Sequence, residues 1–230
     1  MLQIQKDLRK SANPRKAKVL QRFFKTGPGQ YGEGDVFLGI TVPESRKIAR
    51  KYENSSFQEI EKLLESKVHE ERLVALLILV EKYNNISERQ DIIEFYLKNT
   101  KYINNWDLVD LSSDKILGEY LLDKEKSVLY NLAKSNNIWE RRIAIVSTYS
   151  FIKNNEFNET IKISKMLLDD KHDLIHKAVG WMLREVGKRD LAAEELFLRE
   201  NYKKMPRTML RYAIERFPEA KRKAYLNGEI

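Results

Sequence analysis

Two side chains that could bind a cation occur four residues apart, Trp106 and Asp110. In the helix that we predict over 105–121 they share a face, about one turn from each other. An indole face attracts positive charge and a carboxylate adds a full negative charge, so the pair suits a cationic ring. The alternative is a core tryptophan beside a capping aspartate, and the spacing alone leaves both interpretations open.

An arginine interrupts an apolar stripe in the segment predicted as a helix over 137–153. The stripe is Ile138, Arg142, Ile145 and Tyr149, so Arg142 lies at the packed face or its rim. A buried guanidinium needs an anionic partner. A phosphate or a carboxylate such as Asp110 would serve, and a rim salt bridge within the fold is an equal alternative.

Basic residues flank an aromatic on the helix predicted over 172–187. Lys177, Trp181, Arg184 and Lys188 follow one another at i, i+4, i+7 and i+11, a surface that suits a nucleic-acid backbone. The alternative is a core tryptophan surrounded by cations whose aliphatic stems cover it. Arg207 and Arg211 form a similar i, i+4 pair near the C-terminal end.

Two further patterns resemble known motifs without their context. The segment GPGQYG at 27–32 fits G-x-G-x-x-G, but it follows a predicted helix rather than a strand, so it predicts a Gly-rich loop over Gly27–Gly34 instead of a dinucleotide site. His172 and His176 are four apart, but no third ligand is near them in sequence. We therefore expect neither a metal nor a cofactor.

The elements that would position these side chains are helical. Capping residues before a proline or an apolar run mark several starts, notably Asn13-Pro14, Val42-Pro43 and Ser55-Ser56. Only 36–40 could form a strand, and one strand makes no sheet, so the predicted class is all-α. The predicted helices are 13–25, 42–52, 55–65, 69–83, 87–100, 105–121, 124–134, 137–153, 157–168, 172–187, 190–200 and 205–227, the last broken at Pro218.

An internal repeat of 34–36 residues relates positions 71, 106, 140, 176 and 211. This period is one helical hairpin, and the tetratricopeptide consensus is missing, so a HEAT-like array fits better. Stacked hairpins leave a concave groove. We therefore expect a single domain over 1–230, a right-handed HEAT-like solenoid with a concave groove.

Charge and composition narrow the class of partner. The 230 residues carry a net charge of +8, with +7 in residues 1–50 and +5 in 201–230, and they include no cysteine. Basic ends favour a polyanion, nucleic acid before a membrane surface. The sequence has no apolar run of the ~20 residues that a membrane span requires and no secretory leader pattern, which predicts a soluble cytoplasmic protein.

Several segments, in order along nearly the whole chain, resemble the AlkD-like DNA alkylation repair family. They are GQYGEGD at 29–35, FLGI at 37–40, NWDLVD at 105–110, NIWERRIAI at 137–145, HKAVGWMLREVGK at 176–188 and MPRTMLRYAIE at 205–215. The resemblance implies a HEAT-like glycosylase that binds double-stranded DNA in a concave basic groove and excises cationic N3- and N7-alkylpurines from it. It is also what implies that Trp106 and Trp181 form the aromatic pair, that Asp110 is the catalytic acidic residue, acting as a carboxylate, and that Arg142 holds the DNA backbone.

The resemblance implies a further property that the residues do not themselves establish. The lesion is expected to stay stacked instead of being flipped. The residues themselves predict that the enzyme has no lyase activity, because no lysine lies beside Asp110 to form a Schiff base. We also expect a monomer. One departure concerns Phe23 and Phe24, where some members carry a tyrosine. The competing hypothesis is a non-catalytic HEAT-like scaffold that binds DNA or a protein.

Overall fold

A computed structural model describes residues 1–85 and 89–230 of the chain. These residues form helices and no β-strand, and an isolated parallel bridge joins Val36 to Val68. The all-α prediction is therefore confirmed. The internal contacts divide the chain into two compact units, Met1–Ser112 and Ser113–Ile230. The prediction of a single domain over 1–230 stays a prediction.

The first unit consists of short helices around one long one. A 3-10 turn at Thr100–Tyr102 precedes the last of them. Its α-helices are α1 (Gln3–Lys10), α2 (Pro14–Phe23), α3 (Val42–Lys51), α4 (Phe57–Leu64), α5 (His69–Asn85), α6 (Gln90–Lys98) and α7 (Trp106–Asp110).

The second unit begins with a π-helical turn at Asp114–Gly118 and contains a 3-10 turn at Ile214–Arg216. Its α-helices are α8 (Ser127–Ala133), α9 (Ile138–Ser147), α10 (Tyr149–Lys153), α11 (Asn158–Met166), α12 (Asp173–Gly187), α13 (Leu191–Asn201), α14 (Arg207–Ala213) and α15 (Glu219–Asn227).

Helix starts that depend on local capping lie where the sequence predicts them. The Asn13 side chain accepts a hydrogen bond from the amide of Lys16, and Pro14 is the first residue of α2. Ser56 caps α4 through the amide of Glu59. These predictions hold because a side-chain acceptor at the N-cap satisfies an amide that the helix leaves open.

The predicted continuous helix over 105–121 is wrong. Helix α7 ends at Asp110, and the Ser112 hydroxyl bonds back to the carbonyl of Leu108, 2.6 Å away. The carbonyl of Asp114 accepts a hydrogen bond from the Ser150 hydroxyl at 2.7 Å. Side-chain donors that compete for backbone carbonyls disrupt the regular i→i+4 ladder, and the chain responds with a turn and a π-helical segment.

Other helix boundaries also differ. The predicted helix 137–153 is divided at Thr148 into α9 and α10, and the predicted 205–227 helix breaks at 214–218 rather than at Pro218 alone. Helix α1 is absent from the prediction, although Ile4 and Leu8, four residues apart, are both buried. Of the predicted helix 87–100, residues 87 and 88 lie outside the described residues, and α6 begins at Gln90.

Helix α5 is the core of the first unit. Every residue from His69 to Val80 is buried, as expected of a helix surrounded by other elements. It packs against α1, α3, α4, α6 and α7. Helix α7, which carries Trp106 and Asp110, therefore rests on the most buried helix of the unit.

In the second unit, α9, α12 and α14 pack side by side, and α8 and α11 contact both each other and α9. Gly180 allows the close approach of α12 to α14, since a Cβ there would lie 2.4 Å from the carbonyl oxygen of Met209. Among the helices described, none is both long and apolar enough to cross a bilayer.

Candidate functional site

Trp106 and Asp110 lie at the two ends of α7 and are both half-buried. The buried Asn105 caps this helix, its side-chain oxygen accepting a hydrogen bond from the amide of Trp106 at 2.8 Å. Leu108 and Val109, between them in sequence, are buried. The i, i+4 spacing places the indole and the carboxylate on one side of α7, as the sequence predicts.

An aromatic cluster supports the Trp106 indole. Phe24 stacks on it with ring centroids 5.1 Å apart and an interplanar angle of 20°. The exposed Phe23 meets its edge at 5.9 Å, and the indole Nε1 donates a hydrogen bond to the Tyr31 hydroxyl at 3.3 Å. The ring is thus held from α2 and from the Gly-rich loop that carries Tyr31.

The Gly-rich loop over Gly27–Gly34 is built on glycine backbone. Gly29 and Gly34 have φ values of 71° and 83°, a region that favours glycine. A Cβ on Gly32 would lie 2.6 Å from the carbonyl oxygen of Phe24. The loop therefore passes directly against the residue that stacks on Trp106.

A buried network of charges lies behind α7. The His69 ring is placed between two carboxylates, with Nε2 2.8 Å from Asp107 Oδ2 and Nδ1 3.3 Å from Asp35 Oδ2. Asp35 also accepts hydrogen bonds from Arg72 at 2.6 Å and from Asn104 at 3.2 Å. All but the half-buried Asn104 are buried.

The network shifts the pKa of two of its members. Burial lowers the pKa of His69, but the charge of Asp107 and its hydrogen bond to the ring have the larger effect. The pKa of His69 is therefore raised from 6.5 to about 9. Burial raises the pKa of Asp35, but the His69 hydrogen bond and the Arg72 charge together hold that pKa below its ordinary value. Because opposite charges at this distance favour the ionised forms, both groups are charged at neutral pH.

Sequence reasoning missed this network, although a signal was present. His69, Glu70, Glu71 and Arg72 are four consecutive polar residues that open a helix whose next eight residues are apolar. All four are buried. Glu70 accepts hydrogen bonds from three successive amides of residues 38–40 at 2.8–3.2 Å. Polar side chains are rarely buried without partners, so this run indicates an organising cluster.

Arg142 is buried on α9, with 5% of its surface exposed. One of its guanidinium nitrogens donates to the carbonyl oxygen of Leu174 at 2.5 Å. The sequence predicts a guanidinium at the packed face or its rim, and the structure places it inside the second unit. Its role in binding a phosphate stays a prediction.

Trp181 is half-buried on α12 and is held by Glu185, one turn further along that helix. Its Nε1 donates to Glu185 Oε1 at 3.2 Å. The Tyr149 ring lies 6.0 Å away at a tilt of 39°. Sequence reasoning missed Glu185, which the i, i+4 spacing from Trp181 could have indicated.

The three cations predicted to bind DNA on α12 and at its C-terminal cap all have intramolecular carboxylate partners. Lys177 lies 2.6 Å from Asp173, Lys188 lies 2.7 Å from Glu185, and Arg184 pairs with Glu215. Arg207 donates to the carbonyl of Leu226, and Arg211 is exposed on α14. Their binding to DNA stays a prediction, and the structure shows that most of this charge is locally balanced.

Helix α2 is different because its basic residues lack such partners. Arg15, Lys16, Lys18 and Arg22 are all exposed, and the helix contains no acidic residue. In the part of the chain that the structure describes, no ion pair involves any of the four. Four of the basic residues that make residues 1–50 positively charged are therefore exposed on the helix that also contributes to the aromatic cluster around Trp106.

The two C-terminal histidines have structural roles. His172 caps α12, its Nδ1 accepting a hydrogen bond from the amide of Leu174 at 3.1 Å. His176 Nε2 lies 2.5 Å from the carbonyl oxygen of Asp170.

Comparison with known proteins shows a matching family and a structure with a similar fold. The model of the family described as "DNA alkylation repair enzyme" matches residues 4–217. A solved structure, a predicted DNA alkylation repair enzyme from Enterococcus faecalis, is 20% identical with a TM-score of 0.75, covering 91% of this chain and 98% of the other. No curated protein matches the chain in sequence.

Proposed function

The chain belongs to the DNA alkylation repair enzyme family, and on that premise we propose that it is a monofunctional DNA glycosylase. Its substrates would be cationic N3- and N7-alkylpurines in duplex DNA, cleaved at the N-glycosidic bond. The observation that carries the proposal is the side of α7 formed by Trp106 and Asp110. An indole braced by Phe24 and a carboxylate one turn away form a surface for a cationic group.

The substrate's own charge explains why one carboxylate suffices. An N3- or N7-alkylated purine is cationic and leaves as a neutral base, so the reaction needs no general acid and no cofactor. What requires stabilisation is the oxocarbenium-like sugar, and Asp110 would stabilise it and orient the attacking water. At about 4 Å and an effective dielectric constant of about 20, one carboxylate contributes about 4 kcal/mol. If that interaction forms only in the transition state, it accelerates the step about a thousandfold.

The chain offers no amine on α7 for a covalent intermediate. The five residues of this helix are Trp, Asp, Leu, Val and Asp, and lyase chemistry through a Schiff base requires an amine nucleophile. This supports hydrolysis without strand cleavage.

The remaining predicted site residues are assigned to DNA binding in this proposal. Trp181 would supply the second indole, and Arg142 would bind a backbone phosphate. Lys177, Arg184, Lys188, Arg207 and Arg211 would contact the backbone in a basic groove. The exposed cations of α2 add a stronger candidate surface, because they have no ion pairs to break among the described residues.

The proposal also includes how the lesion is held and where the protein acts. Binding by indole faces without base flipping would admit bulky adducts and exclude neutral lesions. The protein would act as a monomer in the cytoplasm. Release of the neutral base hypoxanthine would contradict the requirement for a cationic base.

The experiment that tests the activity is base release from a duplex carrying one N7-methylguanine. We expect wild type to release the free base and Asp110→Asn to lower the single-turnover rate by about a thousandfold, as the Coulomb estimate gives. Asp123→Asn is the matched control, because Asp123 is exposed in the second unit; its rate should equal that of wild type.

The alternative is a non-catalytic scaffold. Salt-sensitive binding of the duplex without base release from either N7-methylguanine or a bulkier N3-alkyladenine would favour it. An unchanged rate in Asp110→Asn would refute the assigned role of that carboxylate.

A further inference from the structure

We propose that His69 is a positioning residue, whose imidazolium between Asp35 and Asp107 fixes the orientation of α7 and with it the positions of Trp106 and Asp110. The effect that this positioning has on catalysis rests on the proposed function. The structural link itself stands on the contacts within the first unit.

The geometry requires the protonated form of the ring. Both ring nitrogens of His69 face carboxylate oxygens, at 2.8 Å from Asp107 and 3.3 Å from Asp35. A neutral imidazole has one nitrogen without a proton, and this lone pair would face a carboxylate. Only the imidazolium donates to both, and the elevated pKa of His69, about 9, agrees with this assignment.

Asp107 transmits the interaction to α7. Its Oδ2 binds His69 and its Oδ1 accepts the amide of Leu108 at 2.9 Å. It follows Trp106 directly in a helix of five residues. A helix this short is not stable by its own hydrogen bonds, so its orientation depends on tertiary contacts such as this one.

A second route joins the same ring to Trp106. The His69 imidazole stacks on Phe37 with centroids 4.4 Å apart and lies 5.1 Å from Phe24. Phe24 in turn stacks on the Trp106 indole. A change in the charge or position of His69 therefore reaches Trp106 both through Asp107 and through the aromatic cluster.

The charges facing His69 come from four segments. Besides Asp35 and Asp107, Arg72 on α5 faces the ring. It pairs with Asp35, and its positive charge lowers the pKa of His69. A cavity of about 290 Å³ beside the ring and Asp107 is also lined by Glu70 and by Lys16 of α2. The exposed Val19 and Phe23 of α2 line it as well.

Titration of the wild-type protein tests the link without any activity assay. The chain contains three histidines and three tryptophans, so NMR can follow each imidazole and each indole N–H from pH 6 to 10. We expect the His69 signal to titrate near pH 9 and the Trp106 indole signal to shift with the same midpoint. Titration of His69 near its ordinary pKa, or a Trp106 signal that ignores it, would overturn the proposal.

Two variants separate this role from a general loss of structure. In Asp107→Asn the main partner of the imidazolium is neutral, so the shared midpoint should fall by about one pH unit or more. His176→Gln, in the second unit, is the matched control and should leave that midpoint unchanged. A midpoint that stays near 9 in Asp107→Asn would refute the assigned partner.

Activity supplies the catalytic readout. At pH 7.5 we expect Asp107→Asn to lower the single-turnover rate on the N7-methylguanine duplex at least about tenfold, with duplex affinity changed by less than about twofold. If wild type releases no base, the proposed function fails while the NMR titration still decides the link to Trp106. If wild type is active and Asp107→Asn keeps the full rate, the positioning role is refuted.

Discussion

Glu194 is a buried carboxyl whose replacement by glutamine should stabilise the protein near neutral pH. Only 2% of its surface is exposed, and its Oε1 has no hydrogen-bond partner among the described residues. Its other oxygen occupies the space next to Gly187 where a Cβ would stand. Burial, followed by the negative charge of Glu195, raises the pKa of Glu194 to about 8.

The magnitude follows from the difference between the folded and unfolded pKa values. The ordinary pKa of 4.5 applies to the unfolded chain, and about 8 applies to the native state. Between these values the native state holds one more proton, so its stability falls as pH rises, by about 1.4 kcal/mol per pH unit. Relative to its value below pH 4.5, the free energy of unfolding is therefore lower by about 3 kcal/mol at pH 7 and by about 5 kcal/mol above pH 8.

Glu194→Gln removes this titration. Its free energy of unfolding should therefore exceed that of wild type only slightly at pH 5 and by about 3 kcal/mol at pH 7. Urea unfolding followed by circular dichroism at pH 5, 6, 7 and 8 measures the difference. Glu200→Gln on the same helix is the matched control, since Glu200 is exposed and pairs with Lys165 at the surface; it should change stability by less than about 1 kcal/mol.

Two results would contradict this prediction. Equal pH dependence in wild type and Glu194→Gln would mean that this carboxyl does not titrate differently on folding. A variant less stable than wild type at pH 7 would mean that Glu194 is ionised in the native state and stabilised by Arg184 and Lys221, the two cations that lower its pKa.

Two other substitutions test packing inside each unit, one in the first unit and one in the second. Glu70→Gln should lower the free energy of unfolding by about 2–3 kcal/mol in a urea titration. The reason is that one amide oxygen cannot replace a carboxylate that accepts hydrogen bonds from the three amides of residues 38–40. A loss below about 0.5 kcal/mol would contradict this prediction. Gly180→Ala should lower the free energy of unfolding by about 1–3 kcal/mol and lower Tm, because the added Cβ would lie 2.4 Å from the carbonyl oxygen of Met209. Gly27→Ala, whose Cβ would meet only the flexible Gln30 side chain at 3.2 Å, is the control, and equal losses in the two glycine variants would refute the close approach.

The sequence predicts structure well where the physical cause is local. Asn13 and Ser56 start helices because their side chains bind amides three residues away. Trp106 and Asp110 share a side of α7 because i, i+4 spacing guarantees it in any helix. The break after Asp110 is only partly local. The Ser112 hydroxyl binds the carbonyl of Leu108, four residues earlier, but the Ser150 hydroxyl that binds the carbonyl of Asp114 lies 36 residues away in sequence.

Charge shows the same distinction. Basic residues at the two ends of the chain are visible by counting, but whether each charge is available depends on its neighbours. Lys188 and Arg184 meet carboxylates, whereas Lys18 and Arg22 on α2 meet none in the described part of the chain. Some of this pairing was readable, because Asp173 precedes Lys177 by one helical turn.

Helix α7 shows why a site can be recognised in a sequence before its support can. Its five residues are too few to hold a helix in place, so the orientation of Trp106 and Asp110 must come from elsewhere. The structure supplies it from α2 through Phe24, from the Gly-rich loop through Tyr31 and from α5 through His69. Substitutions at these three positions should therefore alter the proposed activity although neither Trp106 nor Asp110 is replaced, because they change how α7 is oriented rather than which side chains it carries.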